Sequence, residues 1–181
     1  YTVDTLGEHT VKYNFVGTSI HEYSFSGCPD LTSVSIGNSV TAIGNNAFIF
    51  CEGLTSVSIG NSVTTIGDGA FQGCSGLTSV SIGNSVTTIG YGAFIECSAL
   101  TNIVIPDSVT SIGNNSFGEC SSLTSIVIPK SVISIGEGSF NTCSSLESIV
   151  VDSANTVFDS RDNCNAIIHT STNKLISGCK N

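Results

Sequence analysis

Residues 54–76 read LTSVSIGNSVTTIGDGAFQGCSG. From Leu77 the chain repeats it almost unchanged as LTSVSIGNSVTTIGYGAFIECS, and a shift of 23 residues superposes most of the sequence on itself. Leu31, Leu54, Leu77, Leu100, Leu123 and Leu146 open successive copies, while Cys28, Cys51, Cys74, Cys97, Cys120 and Cys143 recur at one phase. A fixed period of this length marks a solenoid, in which each copy buries its apolar face only against its neighbours. The repeat therefore dictates the architecture, and function is to be sought where the copies differ.

Within one copy, L-T-S-V-S-I puts Val57 and Ile59 on one face and Ser56 and Ser58 on the other, the period of a strand. The Gly or Pro that follows (Gly37, Gly60, Gly83, Pro106, Pro129) ends it, because Gly is flexible and Pro cannot donate to a ladder. A second alternation, Val63 to Ile66, returns the chain to the core, and Gly67 breaks it. Ala70, Phe71 and Cys74 then stand at i, i+1 and i+4, the pattern of a short helical turn. Asn45, Asp68 and Asn114 occupy the place of its N-cap. The expected fold is an α/β repeat solenoid, each 23-residue coil holding a short parallel strand and a short helical turn, in a curved right-handed array.

Toward the N-terminus the pattern decays. The alternating TVDTL within residues 1–10 reads as a strand covering the first rung, and residues 8–30 align as a degenerate copy through Val11, Tyr13, Ile20, Phe25 and Cys28. Five well-formed copies fill residues 31–145. Residues 146–181 then hold a last strand and a C-terminal hairpin, so the whole is one continuous domain with residues 1–30 as cap. With the hairpin turn at Ser171 and Thr172, Ile168 faces Leu175 and Cys164 faces Cys179. Laid on the last rung, the hairpin would shield its open edge.

Of the 181 residues, 40% are apolar and only 10% charged, with a formal net charge of −9 and five Lys and Arg in all. A phosphate-binding face needs cations, so no nucleic-acid partner is expected. No run of about 18 apolar residues exists, which argues against membrane insertion by this segment. The start at Tyr1 without Met fits a trimmed or excised piece.

The pattern L-x-x-[VI]-x-[VI]-[GP]-x-S-V-x-x-I-G-x-x-[AS]-F-x-x-C resembles the BspA-like leucine-rich repeat family of bacterial surface proteins, Bacteroides-type. Ile66, Gly67, Ala70, Phe71 and Cys74 carry its core, and the match runs from about Leu31 to Val151. NTVFDSRDNCNAIIHTSTNKLISGCKN is also similar to a block in that family. The resemblance implies a secreted or cell-surface, non-enzymatic, adhesin-like protein without cofactor. Its implied partner is a host or bacterial surface or extracellular-matrix protein. A structural spacer within a larger surface protein is the alternative. Ordinary leucine-rich repeats carry Asn where Ser39, Ser62, Ser85, Ser108 and Ser131 stand, so here a hydroxyl column must satisfy the turn.

Candidate chemistry is sparse. The six cysteines in one column lack the closely spaced pairs and adjacent His of a zinc site, and read as buried, reduced thiols. Cys164 and Cys179 stand outside the column and are left open between a disulfide and two free thiols. His9, His21 and His169 are too scattered for a catalytic or metal set, and Asp152, Asp159 and Asp162 lack the ligand spacing of a calcium loop. Asn114 opens an N-x-S sequon, relevant only in a glycosylating host. No Ser stands in a nucleophile elbow.

The outward strand column runs Ser35, Ser58, Ser81, Val104, Val127, Val150, and a neighbouring one Asn38, Asn61, Asn84, Asp107, Lys130. Val104, Val127 and Val150 flanked by Asp107 and Lys130 form a candidate partner-binding patch. The competing reading is that β-branched residues simply suit strands and that the hairpin covers them. Ile49, Phe50, Tyr91 and Ile95 are a second apolar set, read either as contact points or as cover for neighbouring rungs.

Overall fold

The computed structural model describes residues 18–179. The expected strand over TVDTL, the degenerate-copy positions Val11 and Tyr13, and His9 lie outside the described residues, as do Lys180 and Asn181. In chain order the strands are β1 (Ser19–Ile20), β2 (Ser33–Ile36), β3 (Ala42–Ile43), β4 (Ser56–Ile59), β5 (Thr65–Ile66), β6 (Ser79–Ser81), β7 (Thr88–Ile89), β8 (Ser111–Ile112), β9 (Ser125–Ile128), β10 (Ser134–Ile135), β11 (Ser148–Val151), β12 (Phe158–Asp159), β13 (Ala166–His169) and β14 (Lys174–Gly178).

Every parallel pairing joins residues 23 apart, as in Ile43 to Ile66 and Val57 to Val80, so the sequence period is the strand register. The result is a β-solenoid of about six coils. Two faces carry its ladders. The L-T-S-V-S-I segments make a broad face, and the short returns make a continuous six-stranded sheet in the order β1-β3-β5-β7-β8-β10. The broad face is not continuous. It holds β2-β4-β6 and β11-β9 as separate sheets, with residues 102–105 between them in no strand.

The interior is a set of single-residue columns. Leu54, Leu77, Leu100 and Leu123 are fully buried, as are Val63, Val86 and Val109 beside them. Phe25, Phe48, Phe71, Phe94, Phe117 and Phe140 form one stack with centroids 5.1 to 5.5 Å apart and planes within 7° of parallel. An exact repeat forces equal rings into register, and burial on both faces of Phe48, Phe71, Phe94 and Phe117 makes the stack cohesive. Where Ser116 and Ser139 replace the buried Ala of earlier copies, each hydroxyl donates to a carbonyl, Ser116 to Gly90 O at 3.1 Å and Ser139 to Gly113 O at 3.0 Å. Among the described residues no buried side-chain nitrogen or oxygen lacks a hydrogen-bond partner.

Polar columns clamp the rungs from outside. Thr64 Oγ1 donates to Thr41 O, Thr87 to Thr64 O and Thr110 to Thr87 O, at 3.1 to 3.2 Å. The Ser column that stands in for Asn acts at the turn, where Ser108 Oγ donates to Val86 O and Ser131 Oγ to Val109 O, both at 2.7 Å.

The expected helical turn is absent. Around residues 45–50, N–H groups alternate between two destinations. Ala47 and Ile49 donate back within the rung to Gly44 O and Asn46 O. Asn46, Phe48 and Phe50 donate forward to Asp68 O, Ala70 O and Gln72 O of the next rung, at 2.7 to 2.8 Å. Left-handed residues cause this. Asn46, Gly69, Gly92, Asn115 and Gly138 have φ of 53 to 68°, and so do Phe50, Gly73, Glu96, Glu119 and Thr142 four positions on, at 56 to 68°. A helix cannot pass through such residues at every fourth position. Asn45, Asp68 and Asn114 accordingly are not helix N-caps. Their side-chain oxygens accept the N–H of Asp68, Tyr91 and Glu137 on the following rung at 2.8 to 3.0 Å.

After β11 the chain builds a three-stranded antiparallel sheet, β12-β13-β14, one strand more than the expected hairpin. It closes the last coil. Ser160 Oγ accepts from Val151 N at 3.1 Å and donates to Ala166 O at 2.7 Å, and Ile167 is fully buried against the core. Asn155 Nδ2 donates to Pro129 O and Val132 O at 2.8 and 3.0 Å, tying this segment to the preceding turn. Ile168 does pair with Leu175, but a bulge between Ile167 and Ile168 shifts the rest, so Ala166 pairs with Gly178. Cys164 and Cys179 are therefore one residue out of register rather than face to face.

Candidate functional site

The broad face presents the residues that differ between copies. Its inward positions, such as Val57, Ile126 and Ile149, are buried, so by the two-residue period the intervening side chains point to solvent. Val104 is 71% exposed, Val127 56% and Val150 47%, and Val127 pairs with Val150 across β9 and β11. The C-terminal sheet leaves them uncovered. Lys130 Nζ lies 3.3 Å from Asp107 Oδ2, with both side chains more than half exposed, so the two charges sit side by side along the same rungs. In the N-terminal half the corresponding surface is Ser35, Ser58 and Ser81, all exposed.

The cysteine column lies inside. Cys51, Cys74, Cys97, Cys120 and Cys143 are buried, Cys28 is half-buried, and all are unbridged. Each buried Sγ donates to a Phe carbonyl 26 residues earlier, as Cys97 does to Phe71 O and Cys120 to Phe94 O at 3.2 Å. Burial pushes the Cys74 thiol up to about 12 and Cys143 up to about 11, with Cys51, Cys97 and Cys120 also raised by burial. Such thiols stay protonated and lack the thiolate that nucleophilic or ligand chemistry requires. Cys164 is exposed and unbridged. Cys179 is half-buried and raised by burial, partly offset by a hydrogen bond with the Ile149 backbone.

The remaining candidates are dispersed. His21 is exposed, and His169 is half-buried with its ring edge-on to Phe158 at 5.6 Å. Asp152 Oδ1 accepts Ala154 N in a local turn, while Asp159 is gripped by Arg161 through Nε at 2.8 Å and Nη2 at 2.6 Å. That guanidinium lowers the Asp159 carboxyl from its ordinary value. Among the described residues no three His, Cys, Asp or Glu side chains gather as a metal-binding set. No helix among them is long and apolar enough to cross a membrane. Phe50 and Tyr91 are exposed, whereas Ile49 and Ile95 are half-buried between turns. Sequence reasoning missed the side-chain ladders, although their signal was present in the columns Asn38, Asn61, Asn84. Asn61 N donates to Asn38 Oδ1 at 2.8 Å, and Asn84 N to Asn61 Oδ1 at 3.0 Å.

Six copies of a BspA type leucine rich repeat region match the chain, over residues 10–117 and 41–170. The Treponema pallidum leucine rich repeat protein is 34% identical, with a TM-score of 0.67 over 72% of this chain and 62% of that one. A leucine rich cell surface protein of Faecalibacterium prausnitzii A2-165 is 32% identical, with a TM-score of 0.62 over 94% of this chain and 52% of that one. A leucine-rich repeat protein of Bacteroides ovatus is 32% identical, with a TM-score of 0.64 over 81% of this chain and 41% of that one. The chain thus spans less than two thirds of each of these proteins. A comparison with curated proteins gave no match. With its 23-residue register, stacked Phe and Cys columns and six matched copies, the chain belongs to the BspA-type leucine-rich repeat family.

Proposed function

We propose that this chain is a non-enzymatic, adhesin-like binding domain of a secreted or cell-surface protein. It takes a host or bacterial surface or extracellular-matrix protein onto the C-terminal half of its broad face. The observation that carries this reading is the solvent-exposed stripe Val104, Val127 and Val150 beside the Asp107 and Lys130 pair. A β-strand needs no valine on its wet side, since serine fills the same column in the first three copies. Apolar side chains held in water along one face suit a protein interface, and the charges at their margin would set orientation. The surface description of the Faecalibacterium relative agrees with an extracellular place for the chain.

The test compares wild-type protein with the Val104→Ser, Val127→Ser, Val150→Ser variant, each immobilised and exposed to extracellular-matrix and cell-surface extracts. A partner retained by the first should bind the second at least about 10-fold more weakly, as loss of buried apolar contacts of ~1.4 kcal/mol requires. Equal affinity with an intact fold refutes the patch. The second reading is a structural spacer, favoured by the near-identical Ser and Asn columns of the first three copies. Failure of wild-type protein to retain any partner would favour it.

A further inference from the structure

The broad face parts at one place, and the sequence supplies a cause. Along this face Thr55 N donates to Thr32 O at 2.8 Å and Thr78 N to Thr55 O at 3.0 Å. The following bond, from Thr101 N to Thr78 O, is absent, and no backbone group of Asn102, Ile103, Val104 or Ile105 has an inter-rung partner. The Thr and Asn side-chain ladders break at the same seam, which is bounded on one side by Ala99 N and Ser98 Oγ on Ser75 O, at 3.2 and 3.4 Å, and on the other by Ser108 Oγ on Val86 O at 2.7 Å. The Thr78 hydroxyl reaches Thr55 O at 3.0 Å, but Thr101 does not reach Thr78 O, and the Asn38, Asn61, Asn84 ladder stops before Asp107. On the far side the backbone of the Leu100 strand is joined only through Thr101 O, which accepts Thr124 N at 3.3 Å and Thr124 Oγ1 at 3.4 Å, and past the strand Lys130 pairs with Asp107.

The first copy with proline after its strand is the one at this seam. In earlier copies glycine presses against the preceding rung. A Cβ on Gly60 would stand 2.6 Å from Ile36 O, and one on Gly83 would overlap Gly60 O. Pro106 brings both a Cβ and a ring carbon into that space, so the Leu100 strand must stand off from Ser79–Ser81. At the same phase Asp152 donates its N–H to Ile128 O at 2.9 Å, whereas Gly60 and Gly83 make no such bond although β2, β4 and β6 pair, so it is the bulk of the prolines that sets the seam apart. Beyond the prolines β9 and β11 pair normally.

Elsewhere the same rungs are locked. Thr110 N donates to Thr87 O and Gly113 N to Ile89 O, both at 2.9 Å, β7 pairs with β8, and Phe94 N donates to Ser116 O at 2.8 Å. The aromatic spacing widens gradually along the axis, from 5.1 Å between Phe25 and Phe48 through 5.3 Å between Phe71 and Phe94 to 5.5 Å between Phe94 and Phe117 and between Phe117 and Phe140. We infer that the Leu100 rung is a flexural joint, at which the two halves of the broad face open and close about the unbroken six-stranded sheet, and that Pro106 and Pro129 create it.

Amide exchange and residual dipolar couplings by NMR test this on the intact chain. The amides of Ile103, Val104 and Ile105 should exchange at least about 100-fold faster than those of Ile126 and Ile128, while Ile89 and Ile112 stay slow. Couplings fitted separately for residues 31–99 and 106–179 should give alignment tensors of different magnitude. In the Pro106→Gly, Pro129→Gly variant, exchange at Ile103 to Ile105 should slow and a single tensor should fit both halves. Equal protection across the face, or one tensor in the wild type, overturns the joint. A variant that keeps the fast exchange and two tensors overturns the assignment to the prolines.

Discussion

Replacing Phe94 by Ala should split the molecule energetically. The ring is fully buried, and lies 5.3 Å from Phe71 on one side and 5.5 Å from Phe117 on the other, nearly parallel to both. Truncating a buried Phe costs about 3–5 kcal/mol through lost burial and the cavity left behind. Each stacked pair adds ~0.5–1.5 kcal/mol. Phe140 gives the internal comparison. It is 4% exposed and stacks on Phe117 at 5.5 Å, while the position one period further holds Asn163. Phe94→Ala should therefore cost ~1 kcal/mol more than Phe140→Ala. Because a solenoid is coupled only between neighbours, the central substitution should also lower the denaturant slope as the halves begin to unfold separately. Urea unfolding followed by circular dichroism measures both. Equal losses with unchanged slopes would refute the idea that the stack transmits cohesion along the axis.

Thr142 is β-branched at φ 60°, a conformation that costs roughly 1–2 kcal/mol for such a residue. Thr142→Gly should raise stability by ~0.5–1 kcal/mol after the greater freedom of the unfolded glycine is counted, read as a higher urea midpoint. The buried thiols predict sensitivity to alkali. Their folded values lie above the ordinary 9.0, so their contribution is complete below pH 9 and is lost as pH rises toward about 11, where Cys143 ionises, and about 12 for Cys74. The melting temperature should fall over that window, and less steeply in Cys74→Ala, Cys97→Ala protein. Parallel slopes would count against burial of the thiols.

The fold was legible wherever one residue repeats at one phase, because a period of 23 with Leu, Val, Ile, Phe and Cys at fixed places allows only a stacked coil. The helical turn was misread for a definable reason. Ala70, Phe71 and Cys74 match helical spacing, but the Asn or Gly column at Asn46, Gly69, Gly92, Asn115 and Gly138 marks a left-handed position, and it outweighs an apolar pattern of three residues. The companion column carries that mark only at Gly27 and Gly73, while at Phe50, Glu96, Glu119 and Thr142 the inter-rung bonds impose the conformation on residues that do not prefer it. The C-terminal hairpin was legible in its turn and in the pairing of Ile168 with Leu175. The bulge that displaces Cys164 from Cys179 has no glycine to announce it, and depends on how the sheet docks against Ile149 and Val151. The valine stripe was legible because the two-residue period assigns Val104, Val127 and Val150 outward.

The opposed donors of each coil bear on how long such an array can grow. At the turns, Asn46, Phe48 and Phe50 donate toward the C-terminal end, whereas Thr64 and Gly67 donate toward the N-terminal end, to Thr41 O and Ile43 O. In an α-helix every peptide dipole points the same way and fractional charges collect at the tips. Here each coil carries antiparallel sets of bond dipoles that largely cancel along the axis. Adding coils therefore builds up no electrostatic moment between the ends, and the terminal coils need only apolar and hydrogen-bonding cover, of the kind that Ser160 and Ile167 supply at the C-terminal end.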